Sequence, residues 1–372
     1  MRKRRRRSHP TEHNPNWVEL GDQRIRAMGF TEGGAPYGLT AEEFERGDSG
    51  PIEQPKSDFP VRANWADAKE ALYLLLEREG RRPTPGAVGF VRNIGEGFSN
   101  RVFGTSIKHA SGQEDWIVVK LPSPTARPDR DDHARREAAV LRYLEGQSLP
   151  FKVPRPIGEI GSPVGLAIVQ EWIDGMSVNL KSPVVFGEPP WELVARVAAA
   201  LHGLDPTPLR AHIPAYASRR DHALARAACF EGLDEAEAKE SSAWAFAHLP
   251  AARPPSLLHG DLLGQNLKRG LNADDVGVID WAEAQIGDPA YDLAIVTRGV
   301  KKPFGDPHGR ERLVETYNRL ARTPITLFDV HLHELVLAAH WYRDICENHG
   351  TGSPHAENQR VAWRSLLKRA PR

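Results

Sequence analysis

"LLHGDLLGQN", Leu257 to Asn266, decides the reading of this chain. An apolar pair leads into His-Gly-Asp, and an asparagine follows that aspartate five positions later. Asp and Asn both favour turns, so Asp261 and Asn266 read either as loop residues or as two halves of one chemical device. Further on, "VGVIDW" sets Asp280 at the end of a second apolar, strand-like run. Mg²⁺ is a hard cation that takes oxygen ligands and keeps substrate phosphates in its shell. Asp280 and the amide oxygen of Asn266 suit that role, which leaves Asp261 free to accept a proton from a substrate hydroxyl. The spacing of the three is more specific than any one of them.

Upstream, "IGEGFSNRVF" places Gly95 and Gly97 between two β-rich runs. Such a turn lets backbone N–H groups approach phosphate oxygens, although two glycines in a hairpin also read as a plain hairpin. Lys120 closes the apolar run "WIVVK", where a lysine can simply snorkel at a sheet edge. The helical pattern over 131–145 puts Glu137 on the same stripe as Ala134, Ala138, Leu141 and Leu144. A carboxylate on a buried stripe needs a partner, and Lys120 is the candidate. A Lys–Glu pair beside a glycine turn aims an ammonium at nucleotide phosphates.

Around these residues the pattern divides in two. "NWADAKEALYLLLEREG" reads as a helix with Trp65, Ala68, Leu72, Leu75 and Leu76 on one face and Gly80 as its cap. Strand patterns follow in "AVGFVRNIGEGFSNRVFGTSI", "EDWIVVKL" and "GLAIVQEWIDG", with the helix 131–145 among them and Asp131 or Asp132 as its N-cap. From Pro189 the pattern is mainly helical, in 189–204, 308–322, 327–348 and 356–368. The expectation is an α+β, bilobal chain with a small β-rich N-lobe over 61–174 and a larger, mainly helical C-lobe over 175–372. Residues 1–60 are rich in Gly, Pro and charge and read as a partly disordered extension with too little apolar material for a core.

The 372 residues carry 49 Lys+Arg and 49 Asp+Glu, so no global charge favours nucleic acid or a membrane surface. The run of six basic residues at 2–7 is the one feature pointing to nucleic acid, and it reads as a solvated tail. No run of about 18 apolar residues marks a membrane span. The two cysteines, Cys229 and Cys346, make neither a metal motif nor a disulfide framework, which fits a cytoplasmic setting.

Together "HGDLLGQN", "VIDWAEAQIGDPAYDLA", "IGEGFSN", "VVK" and "REAAVLRYL" resemble the aminoglycoside phosphotransferase family over about residues 66 to 370. The resemblance implies a protein-kinase-like fold and Mg²⁺-dependent transfer from ATP or GTP to a small-molecule hydroxyl. It implies Asp261 as catalytic base, Asn266 and Asp280 as Mg²⁺ ligands, and Lys120 with Glu137 as the phosphate-orienting pair. Gly95, Gly97 and Ser99 fall in the loop over the phosphates, and Glu171 and Ile173 in the hinge that meets the base. Gly260 stands where protein kinases carry an arginine, Trp281-Ala282 stands in place of Phe-Gly, and no long activation loop follows. The expectation is therefore a constitutively active enzyme.

The acceptor is expected to be an antibiotic such as an aminoglycoside or macrolide. A metabolite kinase with an amino-alcohol or sugar acceptor and a non-catalytic nucleotide-binding regulator are the alternatives. The helix 327–348 aligns His333, His340, Asp344 and Glu347, which reads either as a site for a cationic acceptor or as a solvated face. Asp288 before Pro289 reads as a helix N-cap, with steadying of the catalytic loop as a second role. His259 reads as a structural ring packed behind that loop.

Overall fold

The computed structural model describes residues 17–20, 23–30, 36–40, 65–80, 87–96, 100–109, 111–122, 130–162, 164–181, 187–270, 272 and 275–371. The chain divides into two compact units, Met1–Lys56 and Ser57–Arg372. In the first, β1 (Trp17–Leu20), β2 (Gln23–Phe30) and β3 (Pro36–Thr40) form an antiparallel sheet in chain order. The remainder of the expected 1–60 extension, including the basic run, lies outside the described residues.

The second unit opens with α1 (Trp65–Arg78), whose Ala68, Ala71, Leu72, Leu75 and Leu76 are buried. Trp65, read as part of that stripe, is 59% exposed, because it is the first helical residue and precedes the packed turns. Gly80 takes φ +72°, the left-handed conformation expected of a helix-terminating glycine. The apolar face of α1 packs against a five-stranded antiparallel sheet ordered β4-β5-β6-β8-β7. Its strands are β4 (Arg92–Glu96), β5 (Asn100–Lys108), β6 (Glu114–Pro122), β7 (Pro156–Ser162) and β8 (Gly165–Glu171).

Strand alternation decides where Lys120 points. Ile117, Val119 and Leu121 join the α1 core, so Lys120, one position out of phase, projects from the opposite face of β6. Helix α2 (Arg130–Glu145) meets it there. Asp131 and Asp132 lie inside the first turn of α2 rather than capping it, and Asp131 Oδ1 accepts the Leu166 N–H at 3.2 Å. The later turns of α2 leave the sheet: Val140, Leu141 and Leu144 pack into the larger helical core. Glu137 therefore sits where the two parts of the unit meet.

That larger core is built around α3 (Pro190–His202) and α7 (Gly309–Leu320), with α4 (Arg219–Ala227), α5 (Ala236–Ala247), α6 (Ala290–Thr297), α8 (Leu327–His349) and α9 (Pro354–Leu367). Short strands line its edge toward the sheet. β9 (Met176–Ser177), β11 (Leu267–Arg269) and β12 (Val276–Val278) pair in the order β12-β11-β9, and β10 (Ser256–Leu258) pairs with β13 (Gln285–Gly287). The stretch 259–266 thus links β10 to β11, and Asp280 lies between β12 and β13. No described helix is long and apolar enough to cross a membrane, and Cys229 and Cys346 are free thiols.

Candidate active site

Leu257 and Leu258 are fully buried in β10 and hand the chain to a loop that must turn sharply. Gly260 makes the turn at φ +81°, and a Cβ there would lie 2.0 Å from the Glu283 carbonyl oxygen. The position in which protein kinases carry an arginine thus admits no side chain in this backbone. His259 is wholly buried against Trp281, with ring centroids 4.5 Å apart. Its Nδ1 accepts the Asp261 N–H at 3.2 Å and its Nε2 donates to the Ile279 carbonyl at 3.1 Å. Burial lowers its pKa, which keeps the ring in the neutral tautomer those two bonds require.

The loop hangs on a residue absent from the sequence reading. Asp292, on the otherwise apolar α6, accepts the backbone N–H groups of His259 and Gly260, each at 2.8 Å. His202 adds a contact at 3.1 Å. Burial pushes the Asp292 carboxyl up, but the His202 hydrogen bond and charge outweigh it and hold its pKa below the usual carboxylate value. The signal was present: a lone carboxylate in "AYDLAIVT" is a buried charge in want of donors. Asp288 is instead a separate buried hub. It bonds Arg219 Nε at 2.7 Å and His333 Nε2 at 3.0 Å, and meets the Ala290 N–H at 3.3 Å.

Asn266 closes the loop from the other end. Its Nδ2 donates to the Asp261 carbonyl at 2.8 Å and to Asp261 Oδ2 at 2.9 Å, which leaves its amide oxygen as the acceptor end. The Ile279 N–H donates to the Asn266 carbonyl at 2.9 Å, tying the next residue, Asp280, to the same loop. Asp280 takes φ +69°, a left-handed conformation uncommon outside glycine and tolerated by aspartate. Such strain costs about 1–3 kcal/mol and collects at functional positions.

Lys120 joins the two parts of the unit. Its Nζ donates to Glu137 Oε1 at 2.7 Å and to Asp280 Oδ1 at 2.8 Å. Burial opposes its charge, yet Asp280 and Glu137 outweigh that and raise its pKa. The same ammonium is the main cause of the lowered Asp280 pKa. Asp261 goes the other way: burial first, then the Asp280 charge, raise it to about 7, against the Asn266 hydrogen bond.

The structure thus brings Lys120, Glu137, Asp280, Asn266 and Asp261 into one connected cluster. Gly95 lies in β4 opposite Val102, next to a register shift; Gly97 and Ser99 lie outside the described residues. Glu171 ends β8, with its N–H on the Arg155 carbonyl at 2.9 Å and its side chain half exposed. Trp172 N–H bonds the Trp116 carbonyl at 3.0 Å, and no described residue accepts the N–H of Ile173, the second expected hinge residue. Asp344 lies 3.6 Å from His340 on the exposed end of α8, whereas His333 is buried on Asp288. Besides Asp280, the charges that reach Asp261 are those of Glu283, half exposed, and Arg298.

A small antiparallel sheet and a helical body joined by this cluster define the class, a kinase-like fold. This chain belongs to the phosphotransferase enzyme family (APH), whose model matches residues 91–325. Viomycin phosphotransferase of Streptomyces vinaceus is 33% identical over 190 residues, 44% of this chain and 62% of that protein's length. The apoenzyme of macrolide 2'-phosphotransferase MphH from Brachybacterium faecium aligns at a TM-score of 0.56 and 22% identity, over 80% of this chain and 98% of that one. A thermostable mutant of aminoglycoside phosphotransferase APH(4)-Ia aligns at 0.56 and 18% identity, again over 80% and 98%. These two share the fold.

Proposed function

We propose that this chain transfers the terminal phosphoryl group of ATP or GTP to a hydroxyl of a small molecule, with an antibiotic as acceptor. The observation that carries the reading is the connected cluster of Asp261, Asn266, Asp280, Lys120 and Glu137. Asp261 accepts the proton of the acceptor hydroxyl while that oxygen bonds the terminal phosphorus. The bond from that phosphorus to its bridging oxygen breaks, and the nucleoside diphosphate leaves with the electron pair. A carboxyl held near pH 7 is well matched to this task.

Lys120, oriented by Glu137, directs its ammonium toward phosphate oxygens. The donor set fits Mg²⁺: a carboxylate on Asp280 and the amide oxygen of Asn266, which its two Nδ2 hydrogen bonds leave as an acceptor, are both hard oxygens. Bound there, Mg²⁺ would neutralise phosphate charge. A non-catalytic regulator has no need of a carboxylate base and these oxygen ligands together. The antibiotic class is supported by the similarity to viomycin phosphotransferase.

The test is acceptor-dependent release of nucleoside diphosphate by the purified chain with viomycin, aminoglycosides, macrolides and amino-alcohol metabolites. Mass spectrometry should show one added phosphoryl group on the productive acceptor. Turnover confined to a metabolite overturns the antibiotic part, and no turnover with any acceptor overturns the enzymatic reading.

A further inference from the structure

Lys268 lies at the centre of the β12-β11-β9 sheet, with Ser177 and Gly277 as its register partners. Its Nζ donates to Ser177 Oγ at 2.8 Å, and that hydroxyl donates in turn to the Gln265 carbonyl at 3.2 Å. Gly277 has no side chain, and the Ile173 side chain lies over it. A Cβ at Gly277 would fall 2.3 Å from Ile173 Cγ2 and 3.4 Å from Lys268 Cβ, so the hinge residue and the lysine flank one strip of sheet.

The lysine is also unusual in its pairing. Three buried cations, Lys120, Arg219 and Arg269, each have a carboxylate oxygen within 2.8 Å. Lys268 is half-buried, and among the described residues a hydroxyl is its only hydrogen-bond partner. Asp280 is felt through its charge without contact. An ammonium withdrawn from water gains most from an anion it can touch, and among the described residues that place is open.

Ile173 lies over Gly277, the register partner of Lys268, and Asp280 three residues further on meets Lys120, so a nucleotide with its base at Ile173 and its phosphates at Lys120 and Asp280 runs beside Lys268. We propose that Lys268 is a nucleotide-binding residue that donates a charged hydrogen bond to the polyphosphate between the hinge and Asp280. The inference rests on the cleft being a nucleotide site. It adds a second cation, supplied from the floor by β11, to the one that Lys120 supplies from β6.

The test is equilibrium binding of ADP, GDP, adenosine and guanosine to the full chain and to Lys268→Met, which keeps the apolar stem and removes the charge. The diphosphates should bind about tenfold more weakly or worse, as for loss of a charge-assisted bond, while the nucleosides stay within about twofold. Lys268→Arg should retain most of the diphosphate affinity. If Lys268→Met does not fold, Lys268→Gln serves the same comparison. Unchanged diphosphate affinity, or equal weakening of diphosphate and nucleoside, overturns the phosphate contact while leaving the proposed function standing. Failure of the parent chain to bind any nucleotide overturns both.

Discussion

Asp292→Asn isolates how the loop that carries Asp261 is held. The substitution preserves shape but turns one carboxylate oxygen into an NH₂ that cannot accept a hydrogen bond. Asp292 Oδ1 takes the Gly260 N–H, and Oδ2 takes the His259 N–H together with His202. His202 can switch tautomer and accept from the new amide, but one backbone N–H loses its acceptor in either amide orientation. Both groups are buried, so the change should cost about 1.5–3 kcal/mol, the range for a lost hydrogen bond to a charged partner. Urea unfolding should report that loss as a lower midpoint at unchanged slope. Gly260 immediately precedes Asp261, so the orphaned N–H also releases the proposed base. A displacement of about 1 Å can cost 10²-fold in rate, so kcat should fall about ten- to hundredfold. Nucleotide affinity should stay within about twofold, because the lobe-joining Lys120 pairs are untouched. Asp288→Asn is the contrast: it removes charge from the Arg219–His333 hub and should lower stability with parent-like kcat. If Asp292→Asn is destabilised yet turns over at the parent rate, Asp292 does not position the loop.

Three further outcomes follow from the cluster. Asp261→Asn should bind nucleotide normally but lose about 10²–10⁴-fold in kcat; parent-like turnover would remove Asp261 from the role of base. Because Asp261 titrates at about 7 and must be ionised to accept a proton, kcat/KM should fall as pH drops below 7. The Glu283 charge raises that value, so Glu283→Gln should move the limb to lower pH; a limb that stays put or moves to higher pH refutes the electrostatic account. Asp280→Ala should weaken Mg²⁺-dependent nucleotide affinity together with rate, and an Mg²⁺ titration identical to the parent's would place the metal elsewhere.

Much of this site was legible in sequence because its chemistry is carried by residue types at short, fixed separations. Asp261 and Asn266 belong to one loop, and the apolar pair before them and the apolar run before Asp280 mark the strands that hold them. Glu137 disclosed itself as a charge on an apolar helical stripe, and Lys120 was the cation within reach of a strand end. The helix 308–322 was visible because it buries one face at the helical period, whereas 327–348, legible from its apolar residues, is buried all round from Asp329 to Ala339.

What the sequence alone left undecided depends on partners distant along the chain. Asp288 and Asp292 look alike in "GDPAYDLA", and only the packing of α6 beneath β10 puts Asp292, not Asp288, on the backbone of His259 and Gly260. Helix α5 shows no apolar stripe in the sequence because its buried face mixes Glu237 and Ser241 with the small Ala238 and Ala245. The partners of Glu237 and Ser241, namely Arg360, Arg364 and Trp363, lie more than a hundred residues away on α9. Lys268 reads as an ordinary charged strand residue until the fold sets Ser177, Gly277 and Ile173 around it. Local pattern reports which face of an element avoids water, whereas a buried polar group is defined by the partner that satisfies it, and the tertiary fold chooses that partner.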